Sequence, residues 1–76
     1  MKPAPGKIVI VMILDAHGGL HARPAIITRI WGPDSMKIQA TVFPDAVNDG
    51  LGKTVGKSSL DYSAAHDENT WHWPGE

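Results

Sequence analysis

The stretch Gly18-Gly19-Leu20-His21-Ala22-Arg23-Pro24-Ala25 gathers the side chains best suited to chemistry. His21 is a nucleophile and proton carrier whose ordinary titration lies near neutrality. Arg23, two residues on, is a permanent forked cation that matches the oxygens of a phosphate. Pro24 suits the first turn of a helix, since its missing N–H is one of the donors left unpaired there, and Gly32-Pro33 ends such a helix after about ten residues. In that setting His21 stands at a helix N-terminus, where outward amides and the dipole welcome an anion and favour the neutral ring. The chemistry implied is acceptance of a phosphoryl group on His21, held by Arg23 and the backbone of Ala22. A dipole contribution of about 0.3–1 kcal/mol holds such a group loosely enough to be passed on.

The elements that must position this site follow from periodicity. Ile8 to Leu14 is a continuous apolar run rich in β-branched residues, read as a first strand that is buried on both faces or covered by something else. Ile26, Ile27, Ile30 and Trp31 fall at i, i+1, i+4 and i+5, which predicts a short amphipathic helix with these four as core. Met36 to Phe43 alternates, with Met36, Ile38, Ala40 and Val42 on one face, and predicts a half-buried strand. Pro44, Asp45, Asn48, Asp49 and Gly50 mark a turn, after which Leu51 to Val55 supplies a short returning strand. Residues 61–76 hold few aliphatics and read as neither helix nor core strand. They are expected as a poorly ordered tail, or one docked by its tryptophans.

The string from Gly19 to Ala25 resembles the phosphorylation-site motif of HPr, the histidine-containing phosphocarrier family of the bacterial sugar phosphotransferase system. The resemblance implies that His21 is the phosphoryl acceptor and that Arg23 contacts the phosphate. It implies partners as well: the phosphoenolpyruvate-dependent first enzyme as donor and sugar-specific components as acceptors, in the cytoplasm. A weaker similarity runs from Gly52 to Leu60 and resembles the family's entry into its second helix, where a serine is a regulatory kinase target in some members. Aligned without a gap that serine is Ser59, and a one-residue shift makes it Ser58. The implied fold is α+β, a two-layer open-faced sandwich with helices on one face of an antiparallel sheet, over residues 1–60. Such a chain is a carrier rather than an enzyme by itself, and no metal or organic cofactor is implied. Leu20 with the Ile26 and Ile27 region is expected to present its apolar docking surface.

Length and composition set the outer bounds. Seventy-six residues allow one small domain with a stability margin of a few kcal/mol. Without cysteine there is no disulfide scaffold and no thiolate metal site. A formal charge of −1 with no run of like charge argues against nucleic acid or an anionic membrane surface as partner. The run Ile8 to Leu14 is far short of the ~20 residues a spanning helix needs. Glycines around Lys57-Ser58 miss the phosphate-loop spacing by one residue. His17, His21, His66 and His72 lack the helical spacing that would aim two rings at one metal.

A second function class stands beside the carrier: a small interaction or structural module that keeps the motif without transfer activity. In that reading Ile8 to Leu14 marks a self-association surface, because the second face of this strand would otherwise meet water.

Overall fold

The computed structural model describes residues 2–15, 17–45 and 53–76. They form five strands: β1 (Ile8–Leu14), β2 (Leu20–Ile30), β3 (Ile38–Val42), β4 (Val55–Tyr62) and β5 (Thr70–His72). The strands close into a barrel in chain order. β1 to β4 form an antiparallel meander, β5 returns antiparallel to β1, and a short parallel pairing of β5 with β4 completes the circle.

This corrects the α+β expectation, since the described residues contain no helix and no second layer covers the sheet. The segment from Ala22 to Ile30 is the interior and end of β2. Four β-branched residues in five, Ile26, Ile27, Thr28 and Ile30, stiffen the chain toward the extended form, and the spacing that suggested one helical face is also met by alternation. Ala25 and Ile27 point inward and are buried, whereas Ile26 points outward and is 37% exposed. Trp31, expected in the core, is 44% exposed. It lies past the end of β2, donating Nε1–H to the Ser58 carbonyl at 2.8 Å, with Arg29 over its ring.

Pro24 is accommodated in a strand for a specific reason. Its carbonyl accepts the amide of Phe43, just past the end of β3, at 2.9 Å. In an extended chain the N and C=O of one residue share an edge, so its missing donor faces the same way and removes no bond to β1. β3 pairs with β2 only from Ala25 onward, and Pro24 leaves the free edge beyond it without one donor.

The core is made of inward residues from all five strands: Val9, Val11 and Ile13; Ala25 and Ile27; Ile38, Ala40 and Val42; Leu60; and Trp71. Trp71 is the largest fully buried side chain. It donates Nε1–H to the Met36 carbonyl at 2.7 Å and meets Tyr62 and Trp73 edge to face, with ring centroids 5.0 and 5.1 Å away. The stretch 61–76 thus supplies the end of β4, all of β5 and the central core side chain. The strand expected from Leu51 starts at Val55 among the described residues, and Asn48 to Gly52 lie outside them.

Candidate functional site

β1 and β2 form a hairpin whose register pairs Ile8 with Ile26, Ile10 with Pro24, Met12 with Ala22 and Leu14 with Leu20. All eight side chains stand on the outside of the barrel, because the residues between them, Val9, Val11, Ile13 and Ala25, are the inward ones. Every outward position of β1, and every facing position of β2, is therefore apolar. Ile8 is 59% exposed, and Leu14, Leu20 and Ile26 are 42%, 44% and 37% exposed. The apolar run, expected to be buried on both faces or covered on one by something else, has one face in the core; on the other, Ile8 and Leu14 are exposed at its ends, whereas Ile10 is half-buried and Met12 is buried. Of the three residues expected to make a docking surface, Leu20 and Ile26 lie on this outer face and Ile27 is buried in the core.

His21 and Arg23 lie on the opposite side of β2, facing Ile13 and Val11 near the end of the barrel, and both are half-buried. No helix follows them, so the amide cluster and dipole expected to hold an anion are missing from the described residues. What His21 has instead is Asp15. Its Nε2 stands 2.7 Å from Asp15 Oδ2, while Asp15 Oδ1 accepts the amides of His17 and Gly19 at 2.8 Å each. These bonds, with the His21 contact foremost, hold the Asp15 carboxyl down at about 2. Gly18 adopts φ +84°, which only glycine takes without strain, and a Cβ on Gly19 would come within 2.8 Å of Asp15 Oδ2. The paired glycines thus serve the turn that seats the carboxylate. Sequence reading missed Asp15 as a partner. The signal available was a carboxylate six residues before His21 across a glycine turn, which hairpin pairing brings together.

No protein-family model, curated protein or solved structure matches the chain. The site therefore has to be read from its own geometry. Ala22, expected to help bind phosphate through its backbone, points its side chain outward, and its carbonyl accepts Arg23 Nη1–H at 3.2 Å. Its N–H lies on the same strand edge as Pro24, beyond the end of β3. Ser59, the candidate for regulatory phosphorylation, is exposed on β4 beside the irregularity that separates Lys57 from Leu60 in the β3 register. Ser58 is engaged through its carbonyl by Trp31. Gly52, where the weaker similarity begins, lies outside the described residues. From Val55 to Leu60 that segment is strand rather than a helix entry.

Among the described residues, no three histidines or carboxylates gather as a metal-ligand set. Of their exposed aromatics, Trp31 lies beyond the end of β2 farthest from Leu20, and Phe43, whose amide bonds the Pro24 carbonyl, lies beside the apolar face of the hairpin.

Proposed function

We propose that this chain is a small interaction module that docks through the outer face of the β1–β2 hairpin, and that the surface it docks to is a second copy of itself. One observation carries the reading: the four outward cross-strand pairs from Ile8↔Ile26 to Leu14↔Leu20 contain no charged or hydrogen-bonding side chain. Ile8, Ile26, Pro24, Ala22, Leu20 and Leu14 are exposed on this face around the buried Met12, and an exposed apolar surface of this kind marks an interaction site. Such a face is also self-complementary. A two-fold axis through the hairpin would lay each row on its own copy with no charge to desolvate and no like charges to oppose. Pro24 carries no N–H on the β3 side of β2, which disfavours edge-to-edge strand addition there and leaves face-to-face packing as the better mode.

Sedimentation velocity over a concentration series tests this. The wild-type chain should pass from the mass of one chain to that of two. Ile26→Lys and Leu20→Lys, each placing a charge in the face, should remain single chains and melt close to wild type. A wild-type monomer at every concentration would remove the second copy as partner. A dimer indifferent to both substitutions would move the interface elsewhere.

The carrier reading is favoured by a different observation, the Asp15–His21 contact with Arg23 on the same side of the strand. With Nε2–H directed at the carboxylate, Nδ1 of the neutral ring keeps the lone pair that could accept a phosphoryl group. Asp15 would then balance the positive ring. In this reading the donor is a phosphoenolpyruvate-dependent first enzyme and the acceptors are sugar-specific components, all in the cytoplasm, with Ser59 open to a regulatory kinase. The chain carries the group without catalysing its transfer. Incubation with phosphoenolpyruvate and a photransferase-system first enzyme, followed by intact mass, should show one acid-labile phosphoryl group that His21→Ala lacks. No mass gain on the folded protein would leave the interaction module as the sole reading.

A further inference from the structure

His72 is the outward residue of β5, paired with Ile10 while its neighbour Trp71 fills the core. An outward side chain would ordinarily be wet, yet His72 is 4% exposed. Its cover is His66, from the 63–69 connection between β4 and β5, whose ring lies 15° from parallel with ring centroids 3.7 Å apart. Both rings bury a nitrogen with no hydrogen-bond partner, Nε2 in His66 and Nδ1 in His72. The same connection is tied to β1 by the Asn69 amide, which donates to the Met12 carbonyl at 3.0 Å. His66 and Asn69 both hold left-handed φ values, 61° and 59°, a conformation that non-glycine residues adopt at a cost and keep only while their surroundings enforce it.

We propose that the stacked His66–His72 pair is a pH-sensitive latch. With both rings neutral it holds the 63–69 connection against the seam between β5 and β1, and protonation of His72 releases it. A proton arriving on the buried Nδ1 of His72 creates a charged donor with nothing to accept it, pressed against the His66 imidazole. Two protons would place like charges in contact.

The surrounding groups leave that charge poorly compensated. From β1 and β2 the facing residues are Ile10, Met12, Ala22 and Pro24, all apolar. From the connection, Asp67 accepts from Ser63 Oγ–H through its carboxylate, and Glu68 is exposed. Glu76 is the one anion that acts favourably on the His72 ring, and it is engaged by the Tyr62 hydroxyl and the Trp73 amide. Lys7, over the Trp73 ring, adds positive charge on that side. Burial, and then the neighbouring His66, pull the His72 imidazole below its ordinary 6.5.

The latch borders the Ile10 and Met12 part of the outer hairpin face, but it concerns the closure of the barrel and needs no partner, so its test is separate from that of the docking reading. The test is an NMR titration of the full chain that follows the two imidazole rings and the hydrogen exchange of the Asn69 amide together. Exchange is expressed relative to an unstructured peptide at the same pH. Asn69 protection should fall at least tenfold on acidification, with the midpoint at which His72 titrates, and His72→Phe should keep its protection at the acid end. Protection that holds while both rings titrate would overturn the latch, and so would an equal loss in His72→Phe. If that variant does not fold, the wild-type coincidence of midpoints is decisive on its own.

Discussion

Asp15 and His21 meet across the turn of the first hairpin, 2.7 Å apart, although the pairing of their strands ends between them at Leu14 and Leu20. The carboxylate spans that gap because its other oxygen is fixed by two amides of the turn. The turn, the Asp15–His21 contact and the placement of His21 are therefore one structure, and disturbing any part should register in the others.

Acid should reveal the carboxylate. Asp15 is held at about 2 in the folded chain against an ordinary 3.8. Its stabilising contribution is complete above the higher value and is lost as the pH falls through the lower one. Thermal melts from pH 5 down to pH 2 should show the wild type losing stability in that interval. Asp15→Asn should start less stable and fall less steeply. Parallel curves for the two proteins would mean that the contact contributes nothing to folding.

The glycines of the turn should be separable by mechanism. Gly18→Ala meets open space but must hold φ +84°, a backbone cost of about 1 kcal/mol. Gly19→Ala faces the opposite problem, with its new methyl set against Asp15 Oδ2, so the carboxylate must shift. Urea unfolding should show both as destabilised. Only Gly19→Ala should also move the His21 ring resonances substantially, and a larger movement in Gly18→Ala would refute this division of roles.

Trp71 should be indispensable. Truncation of a buried tryptophan to alanine costs about 3–5 kcal/mol, comparable with the whole margin of a domain this size. Trp71→Ala is expected to be unfolded at room temperature by circular dichroism. Trp71→Phe should fold with a lower melting temperature, having lost volume and the bond to the Met36 carbonyl. A native-like melt for Trp71→Ala would mean that β5 is not part of the barrel core.

These residues also show how far the sequence could be read. β1 and β3 were legible because a β-branched run and a clean alternation have few other interpretations. β2 was not, since Ile26, Ile27, Ile30 and Trp31 satisfy a helical stripe, and Pro24 suits a helix start as well as a strand edge. The irregularity between Ile27 and Arg29 that breaks its alternation depends on pairing with β3 and has no local signature. β5 is three residues long, and Trp71 enters the core only because β1 and β4 flank it. At the site, His21 and Arg23 were visible as chemistry. Asp15, and the match between His66 and His72, depend on register and loop path, which appear only once the strands are paired.

The docking face has a direct local readout. Amide and methyl resonances followed on dilution should shift at Ile8, Leu14, Leu20 and Ile26, exposed members of the outer hairpin face, while those of Trp31 stay fixed. Shifts confined to that face, abolished in Ile26→Lys, are the expected result. A spectrum that does not change with concentration, or one that changes around Trp31 instead, would contradict the assignment of the β1–β2 face as the surface through which this chain associates.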